Sequence, residues 1–199
     1  FKMIKSSPNK IYLIRHGETE WTLSGQHTGL TDIPLTKNGK KEAEKLKKRL
    51  SLISFQTVLT SPLQRSLQTC EIAGLLKDAQ QNDDLVEWNY GDYEGLTSEQ
   101  IWKIQPSWSI FSNGAPNGES LADITARTDR VLATLRTIRG NIVLFSHGHF
   151  LRALTARWLG LAIQEGQLFA LAPASFSILG FEKTFHVLDL WNDTSHLSH

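Results

Sequence analysis

Four short motifs in this sequence carry side chains that could act together chemically. Arg15 and His16 open the run RHGET, and His147 lies in the run SHGH near residue 150. Between them come Arg65, in SPLQR, and Glu87, in the aromatic run LVEWNYG. A neutral histidine can act as a nucleophile, an arginine fork matches phosphate oxygens, and a glutamate can exchange a proton. Each motif alone is weak evidence, but the set favours chemistry on an anionic group.

The elements that would position these side chains alternate between strand and helix. Apolar runs predict strands, and apolar residues at helical spacing between polar ones predict helices. The predicted strands are 11–15, 57–60 and 141–146, with a closing pair at 175–181 and 185–190. The predicted helices are 36–50, 61–75, 120–138 and 149–159, the second opened by Ser61 as its cap and Pro62 as its first residue.

This alternation predicts an α/β fold, a three-layer αβα sandwich around a mostly parallel, mixed sheet. A chain of 199 residues is long enough for one domain, which we assign to residues 1–199. Ligands in such folds bind at the carboxyl ends of the strands, which is where His16 and His147 fall. The least regular segment, about residues 80–119, is interpreted as an insertion that borders the site.

The composition is that of an ordinary soluble domain, with 40% hydrophobic and 21% charged residues. Lys and Arg number 21 against 20 Asp and Glu, so nothing indicates a nucleic-acid or membrane partner. Cys70 is the single cysteine, no apolar run reaches membrane-spanning length, and residues 1–10 lack the apolar centre of a signal peptide. We expect a cytoplasmic protein whose partner is a small phosphorylated metabolite, and the oligomeric state stays open.

The four motifs, in this order, resemble the histidine phosphatase (phosphoglycerate mutase-like) superfamily. Its pattern is an Arg-His-Gly near the N-terminus, a Ser-Pro-x-x-Arg helix start, a mid-chain glutamate and a late Ser/Thr-His-Gly. The resemblance covers roughly residues 10–191 and implies a phosphoglycerate mutase-like fold. It implies that His16 is the nucleophile and Glu87 the proton donor. It further implies that Arg15, Arg65 and His147 form the phosphate pocket.

Elementary chemistry is consistent with these implied roles. A phosphoryl group in transfer spreads negative charge over its oxygens, so positioned cations such as Arg15 and Arg65 are the main catalytic device. A protonated His147 would add a third donor. His16 must be neutral, with one ring nitrogen donating to a backbone carbonyl, and aromatic neighbours would favour the protonated form of Glu87. We expect no cofactor and no metal, because no cluster of residues has metal-ligand spacing.

Five further residues are candidates for binding the substrate. Thr28 and Gly29 match a hydroxyl–glycine pair that touches substrate in the resembling enzymes. Thr22 stands where the family usually has an asparagine that contacts phosphate, and its hydroxyl could still donate one bond. Gly148 and His149 open a predicted helix whose N-terminal amides and dipole could hold a phosphate.

The superfamily contains both mutases and phosphatases, and the sequence favours a phosphatase. A mutase must hold a second anionic group, usually with arginines soon after the catalytic acid, but no arginine lies between Trp88 and Ala126. The runs SGQHTGLTD and EWNYGDYEG resemble the branch that contains fungal sedoheptulose bisphosphatase, which implies a small sugar phosphate. A mutase-type phosphotransferase and a non-catalytic phospholigand-binding module stay open as alternatives. A module without catalysis would be expected to lack His16 or Glu87, and both are present.

Overall fold

The first strand shows why the chain folds in three layers. In the computed structural model, which describes residues 9–198, Ile11 and Leu13 join one hydrophobic cluster while Tyr12 and Ile14 join another. Successive side chains of a strand point to opposite faces, so a strand that is apolar on both faces needs helices on both. Residues 1–8, on which most of the signal-peptide expectation rests, lie outside the described residues, as does residue 199.

The strands form one mixed sheet in the order β3-β2-β4-β1-β5-β6. The pairs β1–β4, β2–β4 and β2–β3 are parallel, and β1–β5 and β5–β6 are antiparallel. The predicted mostly parallel, mixed sheet is therefore confirmed. The strands are β1 (Ile11–Arg15), β2 (Thr57–Thr60), β3 (Ala79–Gln81), β4 (Ile142–Ser146), β5 (Phe176–Glu182) and β6 (Phe185–Asp193).

The helices cover the sheet on both faces. They are α1 (Glu20–Ser24), α2 (Lys37–Leu50), α3 (Gln64–Ile72), α4 (Ser98–Ile104), α5 (Ile110–Asn113), α6 (Leu121–Thr137) and α7 (Gly148–Trp158). Leu46 of α2 and Cys70 of α3 pack with Tyr12 on one face. Leu132 of α6 and Phe150 of α7 pack on the other face. The three-layer αβα arrangement follows from this division of the core, and within residues 9–198 no helix has the length and apolarity needed to span a bilayer.

Of the four predicted helices, the one at 61–75 differs from the structure by more than one residue at an end, and the others by one residue at most. Helix α3 begins at Gln64, after Leu63, because Ser61 is held at the sheet edge, where its Oγ lies 2.8 Å from Nε2 of His147. It ends at Ile72, since Gly74 adopts a left-handed conformation with φ of 83° that glycine tolerates best. The following turn leads into β3, which the sequence analysis missed because its three residues, Ala-Gln-Gln, lack an apolar pattern.

The irregular segment at 80–119 is built from short helical turns, including α4 and α5, and packs into the main core. Trp88, Trp108 and Phe111 are nearly fully buried in the same cluster as the strands. Edge-to-face contacts join Trp88 to Phe111 and Tyr93 to Trp108, with ring centroids 5.3 Å apart in each pair. This packing fixes the position of Glu87, which directly precedes Trp88.

Candidate active site

His16 and His147 lie beside each other because they follow neighbouring parallel strands. Arg15 of β1 is the register partner of Ser146 of β4, and the His16 amide donates to the Ser146 carbonyl over 3.0 Å. The two imidazole rings have centroids 5.2 Å apart. The structure therefore brings together the two histidines that the sequence analysis placed at one sheet edge.

The His16 ring is oriented by its own following residue. Its Nδ1 lies 2.8 Å from the Gly17 carbonyl, which can only accept, so the proton resides on Nδ1 and Nε2 keeps a lone pair. Burial first, and then the charges of Arg65 and Arg15, hold the pKa of His16 well below its ordinary value. A side chain at Gly17 would place Cβ 2.6 Å from the Gly39 carbonyl oxygen, so close packing against α2 requires glycine here. His16 is thus a neutral imidazole with a free Nε2.

His147 is also held neutral, which differs from the protonated donor expected from the sequence. The Arg65 Nε–H donates to its Nδ1 over 3.1 Å, so Nδ1 must be the acceptor and the ring proton lies on Nε2, facing Ser61. The ring is completely buried, and burial, followed by the charge of Arg65, lowers the pKa of His147 well below its usual value. In this structure the residue orients Arg65 and does not contribute a charge.

Arg65 lies behind the cavity, with its guanidinium turned toward backbone oxygens. Nη1 donates to the Thr31 carbonyl over 3.0 Å, and Nη2 donates to the Gly29 carbonyl over 2.7 Å. With Nε bound to His147, each nitrogen of the fork has a protein partner. Arg65 therefore fixes the loop that follows α1, and its charge reaches the site through space, because it lowers the pKa of His16.

Arg15 is one of two arginines that line the cavity described below. Its Nη1 donates to the Leu171 carbonyl, whereas its Nε is buried without any hydrogen-bond partner among residues 9–198. A Cβ added at Gly148 would lie 3.2 Å from Cζ of Arg15, so the start of α7 packs closely on the guanidinium. A buried donor without an acceptor is costly unless a ligand supplies one, and a phosphate oxygen is such an acceptor.

The Glu87 carboxylate caps the start of α7. Its Oε1 accepts the Trp88 and Phe150 amides at 2.8 Å, and its Oε2 accepts the His149 amide at 3.0 Å. The side chain is 4% exposed. The sequence analysis predicted that the N-terminus of α7 could bind a phosphate. In the structure its His149 and Phe150 amides bind this carboxylate, which the helix dipole stabilises. Glu87 therefore lies beside the site in a defined position, with its carboxylate between the amides and the cavity.

An ion pair between buried Arg127 and partly buried Glu119 supports the Glu87 loop. The Nε and Nη2 of Arg127 donate to the two carboxylate oxygens of Glu119 at 2.8 and 2.6 Å, and Nη1 donates to the Val86 carbonyl at 2.7 Å. Glu119 in turn accepts the Asn89 amide at 2.9 Å. The sequence analysis missed this pair, although an arginine on the buried face of α6, between Ile124 and Val131, was a detectable signal.

The site surrounds a cavity of about 200 Å³. Seven predicted site residues line it, while Arg65, His147 and Gly29 lie behind its wall. The lining residues are Arg15, His16, Trp21, Thr22, Gly25, Gln26, His27, Thr28, Glu87, Tyr90, Gly148, His149, Arg152 and Leu171. Of the residues that the sequence analysis did not assign to the site, Arg152 is the one that carries a permanent charge. It lies one helical turn after Gly148, on the same face of α7.

The threonine candidates line the cavity with hydroxyls that already have partners. The Thr22 hydroxyl donates to the Thr19 carbonyl over 2.8 Å and accepts the Thr19 amide over 2.9 Å, which completes the capping box of α1. The Thr28 hydroxyl makes a long bond of 3.4 Å to the Gln26 carbonyl. The expected donation from Thr22 to a phosphate would therefore have to replace a helix-capping bond.

His149 lines the cavity together with a buried tyrosine. The Tyr90 hydroxyl is hydrogen-bonded to Nδ1 of His149. Burial holds the pKa of His149 well below its ordinary value and the pKa of Tyr90 well above its own. Both are therefore neutral groups at neutral pH. Within residues 9–198, no group of three or more His, Cys, Asp and Glu side chains is arranged to hold a metal ion.

Comparison with known sequences identifies the family. The sequence profile of the histidine phosphatase superfamily (branch 1) matches residues 11–194. The chain belongs to this superfamily. An acid phosphatase of Mycobacterium tuberculosis is 40% identical over 192 residues, which is 94% of each protein. The sedoheptulose 1,7-bisphosphatase of Saccharomyces cerevisiae is 35% identical over 187 residues, covering 77% of this chain and 68% of the yeast protein.

The fold of this histidine phosphatase agrees with solved structures. A Mycobacterium tuberculosis protein superposes with a TM-score of 0.88 at 38% identity, over 92% of this chain and 97% of the other. The phosphoglycerate mutase-like fold predicted from the motifs is thereby confirmed. The chain is a phosphatase, a hydrolase that acts on phosphorylated substrates.

Proposed function

We propose that this phosphatase hydrolyses small phosphomonoesters, sugar phosphates in particular, through a phosphohistidine at Nε2 of His16 and without a metal ion. The observation that carries the proposal is the bond between Nδ1 of His16 and the Gly17 carbonyl. It leaves Nε2 unprotonated on a residue that lines the cavity. The depressed pKa of His16 keeps the ring neutral in mildly acidic solution as well.

In the first step, Nε2 of His16 attacks phosphorus and the bond from phosphorus to the ester oxygen breaks. The negative charge on the phosphoryl oxygens is met by the unpartnered Nε of Arg15 and by the field of Arg65 behind the wall. The leaving alkoxide takes a proton from Glu87.

In the second step, water attacks the phosphohistidine. Glu87, now a carboxylate, removes a proton from the water while the bond between phosphorus and Nε2 breaks. Inorganic phosphate leaves, and His16 returns to its neutral form. The amides of Trp88, His149 and Phe150 hold the carboxylate in one place for both roles. The Arg127–Glu119 pair supports the loop on which Glu87 lies.

The sugar phosphate part of the proposal rests on two observations. The yeast relative named for sedoheptulose 1,7-bisphosphate covers 77% of this chain. The cavity wall is also polar, with Gln26, Thr28, His27 and His149 among its lining residues, which can hydrogen-bond hydroxyl groups.

The test is to trap the intermediate. The protein is mixed with a phosphoester labelled in the phosphoryl group, with chelator present, and quenched within milliseconds. We expect acid-labile, base-stable label on His16, located by peptide mapping. His16→Ala should carry no label, whereas His196→Ala, a histidine outside the cavity, should carry as much as the parent. An active protein that never carries label, an active His16→Ala variant, or activity that requires a divalent metal would contradict the mechanism.

A further inference from the structure

The active-site cavity has a neighbour on its outer side. This outer cavity, of about 260 Å³, shares His27, His149 and Arg152 with the active-site cavity. Its remaining wall includes Ser98 and Phe111. The two cavities therefore adjoin each other at these three residues.

Arg152 is held at the junction of the two cavities by a precise set of contacts. Its Nε donates to the Gly166 carbonyl and its Nη2 to the Gln167 carbonyl, both over 3.1 Å. Its Cζ lies 4.8 Å from the centroid of the Phe111 ring, in a cation–π contact. In the part of the chain that the structure describes, Nη1 has no hydrogen-bond partner. These contacts hold the guanidinium of Arg152 in place and leave Nη1 available to bind a ligand.

The Glu87 carboxylate acts on the charge of Arg152 through space. Among residues 9–198 Arg152 forms no direct ion pair, whereas Arg49, Arg127, Arg130 and Arg157 each do. A cation that is partly removed from water without a counter-ion is costly, and an anionic ligand would offset that cost. Burial lowers the pKa of Arg152, but a guanidinium stays protonated at any working pH.

Arg152 and Arg15 both border the start of α7. Arg152 lies four residues after Gly148, which packs on Arg15. Arg15 lines only the active-site cavity of the two, whereas Arg152 lines both. Both cations line the same 200 Å³, so one small molecule can contact both.

We propose that Arg152 binds a second anionic group of the substrate, a phosphate or a carboxylate, while the phosphoryl group to be transferred lies at Arg15 and His16. This assignment rests on the proposed function and narrows its substrates to phosphoesters that carry another anion. His27 and His149 can add hydrogen bonds, and the aromatic and hydroxyl wall of the outer cavity surrounds the carbon chain.

The test compares matched substrate pairs. One pair is fructose 1,6-bisphosphate against fructose 6-phosphate, and the other is 3-phosphoglycerate against glycerol 3-phosphate. For each pair, the selectivity is the ratio of kcat/KM for the member with the second anion to that for the member without it. Selectivity is measured for the parent, Arg152→Gln, Arg152→Lys and Arg157→Gln. Arg157 is a suitable control because it lies on the same helix, pairs with Asp129 and lines neither cavity.

We expect the parent to prefer the doubly anionic member of at least one pair, and Arg152→Gln to lower that selectivity about 10–100-fold, as loss of a charge-assisted hydrogen bond predicts. Arg152→Lys should be intermediate, and Arg157→Gln should match the parent. The pair whose selectivity falls identifies the second anion as phosphate or carboxylate.

Two results would overturn the assignment to Arg152. One is a parent enzyme without preference in either pair, which needs no variant to detect. The other is a selectivity that Arg152→Gln leaves unchanged or that Arg157→Gln lowers equally. These outcomes differ from failure of the proposed function, in which the parent hydrolyses no phosphomonoester, including p-nitrophenyl phosphate.

Discussion

The guanidinium of Arg65 and the imidazole of His147 share a hydrogen bond of 3.1 Å, from Nε to Nδ1. Both side chains are completely buried, and the remaining nitrogens of Arg65 reach carbonyls of residues 28–31. A single arginine thus joins the end of β4, the start of α3 and the loop that forms one wall of the cavity. Because each of its three nitrogens already bonds a protein acceptor, Arg65 acts on the site chiefly through its charge and through the positions it fixes.

Arg65→Lys should separate these two contributions. Lysine keeps the charge but cannot reproduce the fork, so Nδ1 of His147 and two or more carbonyls lose their donor. We expect the free energy of unfolding to fall by on the order of 3 kcal/mol, together with a loss of kcat. The measurement is urea unfolding alongside p-nitrophenyl phosphate turnover. Arg130→Lys, an exposed arginine paired with Asp84, should show no measurable change. A stable Arg65→Lys variant would contradict the role of the fork.

The positions of the histidines were predictable from the sequence because the ends of buried strands are predictable. Apolar runs before His16 and His147 identify two buried strands, and parallel strands deliver their carboxyl ends to one edge. The orientation of Arg65 was not predictable, since the acceptors it finds are carbonyls, which every residue carries. The role of Arg152 was also not predictable, because in the sequence it occupies an ordinary polar position of a helix. Only the packing of Phe111 and the 163–168 turn against α7 places it at the cavity.

The buried histidines should make the protein less stable in acid. Burial lowers the pKa of His27 to about 4, while an unfolded histidine titrates near 6.5. Between these values the unfolded chain binds a proton that the folded state excludes. The stability contributed by neutral His27 is therefore complete above pH 6.5 and is lost as the pH falls toward 4, by up to roughly 3 kcal/mol. His16, His147 and His149 act in the same direction.

Urea unfolding between pH 7.5 and 4.5 measures this effect. His27→Gln should unfold with a weaker pH dependence than the parent, by about 1.4 kcal/mol per pH unit below pH 6. Ser98→Ala is the matched control, because it removes the hydroxyl 3.2 Å from Nε2 of His27 and leaves the imidazole buried. That control should keep the parental slope. Identical slopes for the parent and His27→Gln would show that folding leaves the pKa of His27 unchanged.

The proton-transfer role of Glu87 can be tested through the leaving group. If Glu87 protonates the departing alkoxide, Glu87→Gln should lose about 10²–10⁴-fold in phosphorylation rate with a sugar phosphate. It should lose much less with p-nitrophenyl phosphate, whose phenolate leaves without a proton. Single-turnover kinetics are needed, because the second step would slow with both substrates when the base that activates water is missing.

The three amide bonds to Glu87 determine which controls this experiment needs. A glutamine can place its oxygen at the Oε1 position, where it accepts the Trp88 and Phe150 amides, but its NH₂ then meets the His149 amide and one bond is lost. We therefore expect a small loss of stability, of about 1 kcal/mol, and thermal unfolding must show that the variant is folded. Asp84→Asn and Asp92→Asn are the controls, since these carboxylates pair with Arg130 and Asn117 outside the cavity. A leaving-group contrast in either control would transfer the acid role to that residue, and equal losses for both substrates in Glu87→Gln would limit Glu87 to positioning the start of α7.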